Sequence, residues 1–410
     1  MFIPMGPASK GIGMLFKVAQ SISSKLRYNN KISNNSSSFH SIPKNLYDDQ
    51  LGQQHVRVNM DKKLLLRRYE TNEGSDVYYF STLCTDNNGR SFSVKKNYCF
   101  TNHLHKHSYP SSIVGSCNGI LCLADNYEKG NTVLWNPATD ELKSLPPSSI
   151  ECPSDAAYTK FTTRGFGFDA RSEDYKVLRH VTNGLVYDDD SYKATIVQSE
   201  LYSLKNDSWR PLVNPVKHPW PWSEIMYSTN GSCYWYAYDC VISFNFSDEV
   251  FSCLPLPGPR SSNYLFFDID GSTLGLIVFS YYAPVRKRID IWVWKSNEWC
   301  WSNVDSFMVE DVISPLGLWG RDKCFLQGAN GQLLFFDLVT RELKALDMEE
   351  FSGAESLVSF EESTVSISKV TELHTEARKK QSGSKEKCSS NNFNVDVMKS
   401  RNLNNLQSSL

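Results

Sequence analysis

The sequence predicts an all-β, propeller-like fold of about six blades, and three observations predict it. One phrase recurs five times: an alternating apolar run, a short polar turn, and a second short run ending in Leu or Trp. The copies are VLWNPATDELKSLP (Val133 to Pro146), ELYSLKNDSWRPL (Glu200 to Leu212), VISFNFSDEVFSCLPLP (Val241 to Pro257), IDIWVWKSNEWCW (Ile289 to Trp301) and LLFFDLVTRELKAL (Leu333 to Leu346). Period-2 alternation around Asn, Asp, Ser or Thr is the pattern of a β-hairpin. The second observation is spacing. With Thr139, Asp207, Asp248, Asn297 and Thr340 as turn markers, all intervals but the first fall at the roughly 40 to 50 residues of a four-stranded blade. The third is composition. Aromatic residues make up 13% of the 410-residue chain and sit inside the alternating runs, where sheet faces pack them. That length suffices for one large all-β domain with a sizeable core.

Residues 1–55 read as a basic, Ser/Asn-rich leader. Residues 1–47 contain no Asp or Glu but carry Lys10, Lys17, Lys25, Arg27, Lys31 and Lys44, with a serine cluster at Ser36, Ser37 and Ser38. Met14 to Leu26 reads as a short amphipathic helix with Leu15, Val18, Ile22 and Leu26 on one face. An organelle transit peptide and a disordered basic arm both have this composition. Residues 56–370 read as strand, turn, strand throughout. Lys63 to Arg68 and Asp76 to Leu83 form a first, less regular pair. Gly115 to Leu123 (GSCNGILCL) reads as a glycine turn leading into a buried strand, with related phrases beginning at Gly231, Gly271 and Gly331. Glycine supplies a tight turn without a Cβ penalty. Phe166 to Leu178 reads as a hairpin with Ala170 to Asp174 as its polar loop. The first, longer interval holds an insertion around Asp188, Asp189 and Asp190. Val358 to Ile367 reads as a strand that closes the ring against the first pair, removing exposed edges. Residues 371–410, rich in Lys, Ser and Asn, read as a disordered polar tail.

A formal net charge of −2 provides no basic field for nucleic acid or an anionic membrane. The longest apolar stretch, near Leu274 to Ala283, is too short to span a bilayer and suits a buried strand. The eleven cysteines include no C-x-x-C pair. Cys117, Cys122, Cys233, Cys253, Cys300 and Cys324 fall in strand patterns and read as reduced thiols packed as small hydrophobes. No secretory apolar region precedes a small-residue cleavage site, so the cytoplasm is the expected compartment, or an organelle if residues 1–47 act as a transit peptide.

His103, His105 and His107 alternate, but no Cys, Asp or Glu stands beside them at ligand spacing, so no metal is expected. There is no phosphate-binding loop, H-E-x-x-H or G-x-S-x-G, and no cofactor is expected. Gly165-Phe166-Gly167 reads as the start of an aromatic strand. Asp169, Glu173 and Asp174 read as solvated turn carboxylates. The expectation is a non-catalytic recognition module. Two segments are candidates for contact with a protein partner. Asp188, Asp189 and Asp190, flanked by Tyr187 and Tyr192, are either a solvated loop tip or an acidic patch for a basic protein, whose association charge would speed. Trp220 and Trp222, held by prolines in HPWPW, are either exposed anchors or plugs between blades.

GSCNGILCL, LWNPATDELKSLP, GFGFD, EDYKVLR, ELYSLKNDSWR and IDIWVWKSNEWCW, in this order from about Lys62 to Lys369, resemble the kelch-like F-box-associated domain of plant F-box proteins. The likeness is strongest to the S-locus F-box group, which acts in self-incompatibility. The resemblance implies that this domain captures a protein for ubiquitination. It also implies that an F-box, where present, docks a Skp-type adaptor and through it a cullin ligase. In the S-locus group the captured protein is a secreted, generally basic ribonuclease (S-RNase). The Leu-Pro start and Lys-Ser-Trp end of an F-box are missing from residues 1–60, and the first tryptophan is Trp135. The chain therefore reads as the substrate-recognition half of such a protein, or as a stand-alone, F-box-less interaction domain.

Overall fold

A computed structural model describes residues 62–370 apart from the connecting residues 73–74, 86–91, 100–111, 126–129, 152–155, 187–191, 213–225, 230, 238–239, 258–262, 269–272, 281–285, 321 and 347–353. The alternating runs become strands. Blade 1 begins with β1 (Lys62–Asn72), β2 (Ser75–Thr85) and β3 (Phe92–Cys99). Blade 2 is β4 (Ser112–Cys117), β5 (Ile120–Ala124), β6 (Thr132–Asn136) and β7 (Glu141–Ser144). Blade 3 is β8 (Ala156–Asp169), β9 (Asp174–Val186), β10 (Tyr192–Ser203) and β11 (Ser208–Pro211). Blade 4 is β12 (Met226–Thr229), β13 (Ser232–Ala237), β14 (Cys240–Asn245) and β15 (Val250–Pro255). Blade 5 is β16 (Asn263–Asp268), β17 (Leu274–Phe279), β18 (Arg286–Lys295) and β19 (Cys300–Glu310). Blade 6 is β20 (Val312–Trp319), β21 (Lys323–Gly328), β22 (Leu333–Asp337) and β23 (Leu343–Ala345). Finally β24 (Ala354–Glu361) returns to blade 1. The result is six four-stranded antiparallel sheets, a six-bladed propeller.

The innermost strand of each blade, counted as its first, lies at the centre; in blade 1 it is β24, the last in the chain. There β24, β4, β8, β12, β16 and β20 touch in succession and β20 meets β24, completing the ring. Closure is made by pairing β24 with β1, with Leu64 opposite Ser359 and Lys63 opposite Phe360. The closing strand is shorter than the sequence predicts. It stops at Glu361, and Ile367–Val370 forms one helical turn instead. Side chains of blade 2 take over the backbone groups beyond that point: Asn136 Nδ2 donates to the carbonyls of Ser363 and Val365.

The apolar core is divided among the six seams between blades. Leu65 and Phe80 of blade 1 pack with Leu121 and Trp135 of blade 2. Cys122 and Leu134 pack with Val177 and Tyr202 of blade 3. Leu178 and Leu201 pack with Trp235 and Phe244 of blade 4. Similar clusters fill the other three seams. Middle strands are covered on both faces, so β5 (ILCLA), β6 (TVLWN) and β17 (LGLIVF) are buried at every residue, and β5 and β17 read as unbroken runs without a polar side chain.

Five of the six regular hairpin turns share one construction. The last residue of the incoming strand is Asn, Asp or Ser, and its side-chain oxygen accepts a turn N–H. Asn136 accepts from Ala138 at 2.9 Å, Asp169 from Arg171 at 2.9 Å, and Ser203 from Asn206 at 3.1 Å. Asn245 accepts from Ser247 and Asp248, and Asp337 from Val339 and Thr340. In the remaining turn Lys295 has no such acceptor, and Glu298 N donates to the Lys295 carbonyl. In all six the fourth turn residue adopts a left-handed backbone: Asp140, Glu173, Asp207, Glu249, Trp299 and Arg341 have φ between 49° and 63°.

Three expectations are corrected. Gly115 is inside β4, not in a turn: a Cβ there would lie 2.9 Å from the Ser228 side chain of β12, and the turn glycine is Gly119 with φ of 80°. Gly165 and Gly167 lie well inside β8, not at its start, where a Cβ would meet Cys233 at 2.3 Å and Phe246 at 2.6 Å. The long first interval is mostly strand, since β8, β9 and β10 run for 14, 13 and 12 residues.

Candidate partner-binding rim

Strand order sorts the connections onto two sides of the ring. Within a blade, the first and second strands, and the third and fourth, are joined on one side, here called the turn side. The second and third strands, and successive blades, are joined on the opposite loop side. The gap between Val186 and Tyr192, which pair at the ends of β9 and β10, opens on the loop side. So does the gap between β11 and β12. Tyr187, Asp188, Asp189, Asp190, Trp220 and Trp222 themselves lie outside the described residues, as does the side chain of Tyr192, whose backbone opens β10. His103, His105 and His107 are also outside them.

Blade 3 faces blade 2 with a buried ion pair. Glu200 of β10 is fully buried. It accepts from Arg179 Nε at 2.8 Å, from the hydroxyls of Ser148 and Ser149 at 2.9 and 3.0 Å, and from Ser149 N at 3.1 Å. Arg179 donates to the Gly130 carbonyl at 3.1 Å, and its guanidinium lies 3.8 Å from the Trp209 ring centroid. Burial pulls the Arg179 pKa down while Glu200 opposes the shift. The pair ties two loop-side connections of blade 2 to blade 3. Such a pair matters most when broken, because removing one partner strands the other charge at a cost of about 3–5 kcal/mol. Next to it, His180 bonds Ser199 at 2.8 Å and packs against Trp235 and Phe251. Burial, helped by the charge of Arg164, pushes its pKa down to about 3, so it is neutral near pH 7.

A repeated staple joins neighbouring blades. Trp209 Nε1 donates to the Pro146 carbonyl at 2.8 Å, and Trp301 Nε1 to the Pro255 carbonyl at 2.6 Å. In each case the tryptophan is the second residue of an outermost strand, and the proline closes the outermost strand of the preceding blade or lies just beyond it. The Leu-Pro and Trp positions of the repeated phrase carry this signal, which the sequence reading did not use.

The turn side is knit by charges. Lys176 bonds Asp169 at 2.7 Å and Glu249 at 3.0 Å; Arg210 also pairs with Glu249. Arg171 bonds Asp248 at 2.5 Å and Lys143 bonds Asp207 at 2.9 Å. The turn acids are therefore not all solvated, as the sequence reading had them. Of Asp169, Glu173 and Asp174, the first and last are buried and Glu173 is exposed. Burial works against the Asp169 carboxylate, yet donors from Lys176, Ser172 and Ser247 hold it well below the usual range. Sequence reasoning also passed over Trp299, which is 68% exposed at the tip of the β18–β19 hairpin and edge-on to Trp294.

Among the described residues, no three of His, Cys, Asp and Glu gather as metal ligands. Cys122, Cys233 and Cys324 are fully buried, and burial pushes their thiols up; Cys117 rises to about 11. Cys253 departs from the expected core packing and is exposed, because its strand β15 is the outer edge of blade 4.

Residues 68–381 match the F-box associated beta propeller domain. Curated relatives are F-box proteins of Arabidopsis thaliana. F-box protein CPR1 is 22% identical over 276 residues, covering 60% of this chain and 66% of that protein. F-box protein At3g07870 is 31% identical over 209 residues, covering 45% and 47%. F-box/kelch-repeat protein At3g23880 is 26% identical over 220 residues, covering 50% and 55%. The chain spans about half to two thirds of the length of these relatives. No F-box domain is found in it. From the match across the propeller, the chain belongs to the F-box associated β-propeller family.

Proposed function

We propose that this chain is the substrate-recognition part of a Skp–cullin–F-box ubiquitin ligase and is itself non-catalytic. The observation that carries this reading is membership of the F-box associated family across the whole propeller, with relatives that are F-box proteins. Rigid blades hold loops on one side of the ring, and a bound protein would be fixed there. A ligase attached to the chain would then raise the effective concentration of the target's lysines near the ubiquitin-charged enzyme. The partner we propose is a basic protein of the S-RNase type, met in the cytoplasm. Asp188, Asp189 and Asp190 would steer it, and Tyr187, Tyr192, Trp220 and Trp222 would anchor it.

A second reading is a stand-alone interaction domain, or a decoy for the same partner, without a ligase role. The family match, to the F-box associated domain over residues 68–381, is compatible with it. Size-exclusion chromatography of the 410-residue chain with a Skp-type adaptor separates the two. Stoichiometric co-elution supports the ligase subunit. Separate elution of a folded chain supports the stand-alone domain.

A further inference from the structure

After β24 the chain crosses the turn side from blade 1 to blade 2 and is fastened there. Asn136 Nδ2 donates to the Ser363 carbonyl at 2.9 Å and to the Val365 carbonyl at 2.7 Å. The Glu141 carboxylate accepts from Ser366 Oγ at 2.7 Å, from Ser368 Oγ at 3.2 Å and from the Ile367 N–H. Ile367, 1% exposed, enters the apolar seam between blades 2 and 3, with Val365 and Val370 packed against the same seam. The described partners of Glu141 are thus two hydroxyls and the amides of Ile367 and Ser368. All are neutral donors aimed at an anion, with no cation among them.

Replacing either hydroxyl by an anion would turn attraction into repulsion at about 3 Å. We propose that Ser366 and Ser368 are phosphorylation sites, and that a phosphoryl group on either hydroxyl unlatches Ser363–Val370 from blade 2. A protein kinase would transfer the γ-phosphoryl of ATP to Oγ. The bond from Pγ to the ADP oxygen breaks, a P–O bond to serine forms, and the hydroxyl proton leaves to the kinase's base. The product carries a charge of about −1.5 to −2 near pH 7. Ser368 is already exposed and Ser366 half-buried, so the segment presents hydroxyls at the surface. Unlatching leaves the ring closed, because the pairing of β24 with β1 ends at Glu361 opposite Lys62. It withdraws Ile367 and opens the apolar seam between blades 2 and 3 on the turn side.

The test uses the full chain with phosphoserine installed at position 366 by ligation of a synthetic C-terminal segment, beside unmodified chain made the same way. Amide hydrogen exchange at Ile367 is expected to be at least tenfold faster in the phosphorylated chain. Ser366→Ala, which loses the bond without adding charge, should change it much less. Glu141→Gln in the phosphorylated chain should slow exchange again by removing the repulsion. Phosphopeptide mapping of the chain recovered from its own cells should find phosphate at Ser366 or Ser368. Unchanged exchange on phosphorylation, or equal acceleration in Ser366→Ala, would overturn the latch. Unmodified serine at both positions in the recovered chain would overturn their assignment as modification sites.

Discussion

Arg179 and His180, neighbours in β9, both lie inside blade 3 and meet burial in opposite ways. Arg179 keeps its charge beside the Glu200 carboxylate. His180 faces aromatic rings and a serine hydroxyl and gives its charge up. A consequence for acid stability follows from the second. An ordinary histidine takes up its proton near pH 6.5, whereas His180 in the folded chain does so only at about 3. Between those values the unfolded chain holds the extra proton. Stability is therefore complete above about pH 6.5 and falls as pH drops, by about 1.4 kcal/mol per unit. Urea midpoints measured from about pH 7 to 5 should show this slope in the wild type and lose most of it in His180→Gln. An unchanged slope in the variant would place the acid sensitivity on other groups.

At the scale of the element, the hairpin turn is the unit that repeats, and its last residue is its weak point. Glu173 has φ of 51°, a conformation that disfavours side chains with a Cβ, and its carboxylate is exposed. Glu173→Gly is expected to raise stability by about 0.5–1 kcal/mol, since the relief of backbone strain exceeds the added flexibility of the unfolded chain. A melting temperature unchanged or lowered would mean that the turn is not strained there. These hairpins were legible in the sequence because alternation and turn chemistry are local properties. What was not legible depends on residues far apart in the chain. Gly115 looked like a turn glycine because nothing nearby shows that Ser228 approaches it. Asp169 looked solvated because Ser247, one of its donors, lies in the next blade. The strand expected to Ile367 ends early because Asn136 and Glu141, more than 200 residues earlier, claim the backbone beyond it. Trp299 kept its place in the alternating phrase but lies in the turn, exposed.

Over the whole molecule, six sheets share six apolar seams, and the last strand completes the first blade, so the ends of the ring depend on each other. This architecture separates the two sides. The turn side carries the charge network and the C-terminal latch. The gaps that hold the acidic and tryptophan segments open on the loop side. Under the proposed function, a basic partner would be recognised on that second side. Hydrogen-exchange footprinting of the chain with and without a basic ribonuclease tests this most directly. Slowed exchange across residues 187–191 and 213–225, weakening as salt rises, is the expected result. No slowing anywhere on a folded chain, or slowing confined to the turn side around Asp140, Glu249 and Trp299, would contradict it.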